Sequence, residues 1–148
     1  MKTKIAVAIT IFVVLAVPIT LAQVQVIGGK SVSVPTEIWK AKAIESKSDF
    51  KEFKLLASSI NLGNGKQGIV VTGNDIIHSC GAMNCSIWIY QKIGKGRYSL
   101  LIDTIGTVVR LATGTTRGYR NLLIEGNGYN GTFIHTYKWN GKQYTETK

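Results

Sequence analysis

The side chains best suited to chemistry lie in one short run, His78-Ser-Cys80-Gly-Ala-Met-Asn-Cys85, with a second histidine, His135, far along the chain. Two thiolates and an imidazole are zinc ligands, so His78, Cys80 and Cys85 would form a metal site if folding brought in a further donor such as His135. A redox pair fits less well, because four residues separate these cysteines where the Cys-x-x-Cys motif has two. The simplest chemistry for two close cysteines in an oxidising compartment is one disulfide closing a small loop. The expectation is therefore a Cys80–Cys85 disulfide, with no metal and no cofactor.

That expectation depends on export, and the first 22 residues point to it. Met1-Lys-Thr-Lys4 is a cationic start, Ile5 to Val17 is an uncharged run that is apolar except for Thr10, Pro18 interrupts it, and Thr20-Leu-Ala22 places small residues before Gln23. This is the pattern of a secretory signal peptide, residues 1–22, cleaved before Gln23. Retained, the same segment would be a short membrane anchor. The mature protein is then secreted or periplasmic and meets the membrane only through this leader.

Catalysis finds few candidates. The eight carboxylates are scattered, and Ser79 follows His78 directly without a Gly-x-Ser-x-Gly elbow. An acid–base set would have to pair His135 with Asp103 or Glu125 across a sheet. No phosphate-cradling loop precedes a helix. The reading is a protein that is not an enzyme, with an extracytoplasmic hydrolase or inhibitor-type protein acting through loop residues as the alternative.

The elements that position these residues change character near residue 60. Residues 23–35 read as an extended lead-in, and a single domain, 36–148, follows. Pro35-Thr36 opens a short helix to Glu45. A second helix is predicted from Ser48 as its cap and Asp49 in its first turn, with Phe50, Phe53, Leu56, Ala57 and Ile60 at helical spacing. Residues 36–60 are thus expected to be helical. Beyond them lie fourteen of the sixteen glycines and no proline, and β-branched runs alternate with Gly/Asn turns. Seven strands are predicted, at 68–73, 85–92, 97–103, 106–112, 121–126, 131–139 and 142–147. Asn140-Gly141 is the strongest hairpin signal, suited to a type I′ turn. The fold class is mainly β (α+β): N-terminal helices packed on an antiparallel meander of about seven strands.

The strands also repeat. Gly68 to Gly73, then Trp88 to Lys92, then Gly96-Arg-Tyr98 matches Asn121 to Gly126, then Thr136 to Trp139, then Gly141 to Tyr144. Two blade-like units near 61–112 and 116–147 cannot close a propeller ring, so they must pack on each other. Asn61-Leu-Gly-Asn-Gly-Lys-Gln-Gly-Ile69, Cys80-Gly-Ala-Met-Asn-Cys85 and Thr116-Arg-Gly-Tyr-Arg-Asn-Leu122 together resemble a group of uncharacterised secreted bacterial proteins. That group carries a CGxxxC pair before an aromatic strand and an NG[YW]RD[LI] stretch, and the resemblance covers about residues 55 to 146. The first stretch is also similar to FG-GAP and VCBS-type propeller blades, where an acidic loop binds calcium. Here the matching positions are Asn61, Gly63, Asn64 and Gly68, and Asn121 replaces an aspartate. Without carboxylates the loop is no calcium site.

A surface is the better functional lead. Alternation places Phe133, His135, Tyr137 and Trp139 on one face of their strand, and Trp88, Tyr90 and Lys92 on one face of theirs. With Arg97, Arg120 and Lys142 nearby, such rings would form apolar platforms beside cations and hold an anionic glycan or another polyanion. The competing reading makes the rings the core of the sheet, with solvated cations around them. The chain carries net charge +10; without Lys2 and Lys4 it keeps 16 basic against 8 acidic residues, and residues 61–148 carry 10 against 4. Dispersed cations in an exported protein point away from nucleic acid and toward acidic cell-envelope polymers. The sequence therefore predicts a secreted binding or envelope-associated module.

Overall fold

The computed structural model of the protein describes residues 23–45, 53–74 and 79–147. Within them the chain forms β1 (Gln25–Ile27), β2 (Lys30–Val32), α1 (Thr36–Glu45), β3 (Leu55–Gly63), β4 (Lys66–Gly73), β5 (Cys85–Gly94), β6 (Arg97–Gly106), β7 (Val108–Thr116), β8 (Tyr119–Gly128), β9 (Gly131–Trp139) and β10 (Tyr144–Thr147). The leader, the Ser48 cap with Asp49 and Phe50, and His78 lie outside the described residues.

The strands form two five-stranded sheets, ordered β2-β3-β4-β5-β6 and β1-β7-β8-β9-β10. Each holds a four-stranded antiparallel meander; two-residue or four-residue links leave most successive strands no other way to pair, and only β4 and β5 are joined by a longer connection, Asn74 to Asn84. A short N-terminal strand extends each meander: β2 runs antiparallel to β3, and β1 runs parallel to β7. The sheets are open, and no propeller ring closes. The seven predicted stretches all fall on strands, six of them with shifted ends and β9 without, but the strands number ten among the described residues rather than seven. The strand expected at 106–112 heads the second sheet, where β7 pairs with β8, so the second meander is as complete as the first.

The predicted second helix is the main correction, since Leu55–Gly63 is strand β3. Its spacing misled because β3 is buried on both faces. Ala57 packs with Ile38, Val71, Trp88 and Tyr90, whereas Ile60 and Leu62 enter the core between the sheets. A strand covered on both sides loses the simple alternation that identifies it. The lead-in also contains more than coil, since it supplies both edge strands β1 and β2.

Three layers result. The second sheet packs on the inner face of the first, where Leu62, Val70, Ile87 and Ile89 meet Val109, Leu122 and Ile124, all essentially inaccessible. Burying each such side chain contributes about 1.5–3 kcal/mol. On the outer face of the first sheet, α1 covers Val71, Trp88 and Tyr90 through Ile38. The helix is short and barely amphipathic, so it is held by this docking more than by its own propensity. Among the described residues nothing covers the outer face of the second sheet in this way, and Ile27 and Ile134 are exposed there.

Candidate functional site

Cys80 and Cys85 form a disulfide with Cα atoms 3.8 Å apart. Both sulfurs are therefore committed to each other, and the thiolate metal site is not formed. The bond closes a tight loop in which the Gly81 amide donates to the Asn84 carbonyl at 2.7 Å, and the Ser86 amide donates to the Ser79 carbonyl at 2.7 Å. Among the described residues no helix is long and apolar enough to cross a membrane. A disulfide of this kind fits an extracytoplasmic protein.

The acid–base set expected around His135 is also not assembled. Glu125 lies opposite Ile134 in the β8–β9 register, so it faces away from His135, and its carboxylate accepts from Arg110 Nε and Nη2 at 3.1 and 2.9 Å. Asp103 stands 3.7 Å from the Lys42 ammonium on the outer face of the first sheet. His135 instead pairs through Nδ1 with Glu146 on β10 and meets Phe133 edge-on at 4.6 Å.

The expected aromatic and cationic residues separate into three places. Trp88 and Tyr90 lie under α1, where the nearly buried Lys42 holds its ammonium 4.7 Å from the Trp88 ring centre and 2.7 Å from Glu45. Burial, with Asp103 and Glu45 nearby, pushes the Tyr90 phenol up to about 12. These two rings are core. His135 and Tyr137 sit higher on β9, where Tyr137 packs on the core between the sheets and its hydroxyl reaches Thr104 Oγ1 at 3.5 Å.

Lys92, Arg97, Arg120, Trp139 and Lys142 share one end of the sandwich. Strand directions send four turns there, Asn64-Gly65, Lys95-Gly96, Arg117-Gly118 and the four-residue loop of Asn140 to Gln143, while the β8–β9 turn at Tyr129-Asn130 lies at the opposite end. The first and third have positive φ at both central residues, the signature of type I′ turns. Asn140-Gly141, expected to be such a turn, is not one. The Asn140 side-chain oxygen accepts from the Lys142 and Gln143 amides, both at 2.9 Å, and so organises a longer loop.

Three of the turns touch. A Cβ on Gly63 would stand 2.5 Å from the Gly118 carbonyl oxygen, and the Arg117 guanidinium lies against Gly141. Behind them Tyr119 stacks on Trp139 at 4.2 Å, and Tyr144 meets both rings edge-on. The Tyr144 hydroxyl donates to the Arg120 carbonyl at 2.7 Å, and burial raises its phenol above the ordinary tyrosine range. This braced cluster fixes the strands from which Arg117, Arg120 and Lys142 project.

Charge is segregated onto this end. Of the nine described Lys and Arg residues after position 60, seven lie in or within two residues of these turns: Lys66, Lys95, Arg97, Arg117, Arg120, Lys138 and Lys142. None of Asp103, Glu125 and Glu146 does. Among the described residues the Glu37 carboxylate, from the first turn of α1, approaches beside Gly96. Sequence reasoning missed Lys66, Lys95, Arg117, Tyr119 and Tyr144. The signal was available in the basic residue in or beside each of these four turns, but only the meander brings them to one end. Comparison with protein-family profiles, with curated proteins and with solved structures finds no match for this chain.

Proposed function

We propose that the protein is an extracytoplasmic, non-enzymatic binding module that holds an anionic glycan or acidic envelope polymer on the cationic hairpin end of its sandwich. The supporting observation is the segregation of charge: cations flank all four turns, and no carboxylate of the strands lies within two residues of any turn. Three of these four turns touch one another and so hold their cations at fixed spacing, which leaves little ordering cost to fall on binding there. Like charges gathered on one rigid surface also create a local positive potential that steers polyanions to it. A hydrolase reading has less to stand on, since Asp103 and Glu125 are engaged by Lys42 and Arg110.

The test is calorimetric titration of heparin, with neutral dextran as control, into the protein and into Arg117→Gln/Arg120→Gln/Lys142→Gln. Each exposed charge pair contributes about 0.5–1 kcal/mol at low salt, so the triple variant should bind roughly ten- to a hundredfold more weakly. Binding by the parent protein should weaken steeply with added salt. Equal affinity in the two proteins, or binding indifferent to salt, would sink the proposal.

A further inference from the structure

On the outer face of the first sheet, α1 begins at Thr36 and covers Trp88 and Tyr90, but the row of side chains continues past it. There Ile69 and Tyr98 are only half buried, and a cleft of about 340 Å³ opens between them and the Val32–Pro35 segment. Ile69 and Pro35 supply apolar walls, while Ser33, Ser59 and Gln67 bring polar groups to its rim. Lys92 lies directly opposite Tyr98 in the β5–β6 register, so the two side chains stand together on this face. The Lys92 ammonium has no carboxylate within ion-pair distance among the described residues.

This combination is chemically selective. The volume is at the low end of the range for small-ligand pockets, ~300–1,000 Å³, which suits one or two sugar rings. An aromatic ring beside an aliphatic floor packs on the apolar face of a pyranose, and hydroxyl and amide groups at the rim can meet its hydroxyls. A single unpaired ammonium beside an apolar surface calls for a single anionic group. We infer that this cleft is a subsite for the terminal acidic unit of a glycan, a hexuronate whose carboxylate pairs with Lys92 while its ring packs on Tyr98 and Ile69. The inference rests on the glycan-binding reading for its polymer, because Lys95 and Arg97 at the β5–β6 turn lead from the cleft to the hairpin end.

Digalacturonate titrated into the ¹⁵N-labelled full chain, followed by amide chemical shifts, tests this separately from the hairpin end. Saturable shifts should appear at Ile69, Lys92 and Tyr98, with no comparable response to a neutral disaccharide. Lys92→Met, at an exposed side chain that leaves the spectrum otherwise unchanged, should weaken binding about tenfold, and Lys92→Arg should restore most of it. Arg117→Gln/Arg120→Gln/Lys142→Gln should keep digalacturonate affinity while losing heparin. Shifts confined to the hairpin end, an absence of shifts, or undiminished binding by Lys92→Met would overturn the cleft assignment while heparin binding still stood. Digalacturonate binding without heparin binding would support the cleft and remove the hairpin-end reading alone.

Discussion

At one end of the sandwich, two-residue turns press backbone against backbone, with Gly63 beneath the Gly118 carbonyl and Arg117 across Gly141. At the other, the short links at Thr107 and Tyr129-Asn130 sit beside a long connection, Asn74 to Asn84, whose last part from Cys80 is held by a disulfide and a side-chain clamp. Asn84 donates to the Asn127 carbonyl at 2.8 Å and accepts from the Asn127 amide at 2.9 Å, tying the disulfide loop of the first sheet to β8 of the second. Short turns lose little entropy on closing and need no cross-link, whereas a long connection gains from one. The contrast explains where charge can go. The hairpin end gathers cations with no carboxylate of the strands within two residues of a turn, so shape rather than ion pairing must hold it together. The disulfide end, which carries exposed Met83 and Tyr129, is free of that requirement.

The sharpest way to break this contrast is to spoil the turn contact. Gly63 has φ of 86°, and its Cβ would meet both the Gly118 carbonyl oxygen at 2.5 Å and the Arg120 amide at 3.1 Å. Gly63→Ala should therefore cost about 2–5 kcal/mol, combining a left-handed conformation with overpacking. Gly65→Ala is the control, since φ there is 68° but nothing stands within 4 Å. It should cost only the backbone share, about 1–2 kcal/mol. Equal losses for the two variants in urea unfolding would show that the turns do not depend on their contact.

The disulfide end should respond differently. Replacing both Cys80 and Cys85 with alanine removes a closed loop of six residues, worth about 2 kcal/mol in the chain-entropy estimate. The loss should be local in its reach. Hydrogen exchange should quicken at Ser86 and Asn127, whose amides depend on the loop, while heparin affinity stays unchanged. A fall in heparin affinity that tracked the loss of the disulfide would mean that the two ends are coupled.

How far these ends were legible in the sequence depends on the range of the signal. The hairpins were readable because Gly and Asn mark turns locally, and β9 could be placed residue for residue from its period-two pattern. The Cys80–Cys85 loop was readable from the close spacing of its two cysteines, which is also a local signal. Strand β3 was not, because covering by α1 on one face and the second sheet on the other gave it apolar residues at helix-like intervals. Trp88 and Tyr90 looked like surface platforms because nothing local shows that α1 lies over them. The seven cations at the hairpin end were visible one by one, but their convergence is a property of the meander. A cation such as Lys42 shows the reverse case: it looks solvated in sequence, yet it is nearly buried against Trp88.

The smallest effect concerns one residue that serves charge at the expense of conformation. The turns Asn64-Gly65 and Arg117-Gly118 have nearly the same shape, with φ of 50° and 68° in one and 52° and 81° in the other. The first places asparagine, which tolerates the left-handed region, at the leading position; the second places arginine, which does not. Arg117→Asn should thus stabilise the fold by about 0.5–1 kcal/mol while lowering heparin affinity roughly two- to fivefold, and it should flatten the salt dependence by about one cation's share. Stability and binding moving in opposite directions would mark Arg117 as retained for its charge. Should Arg117→Asn instead destabilise the protein, its guanidinium contact with Gly141 would be structural, and the hairpin end would be held by its cations as well as by its shape.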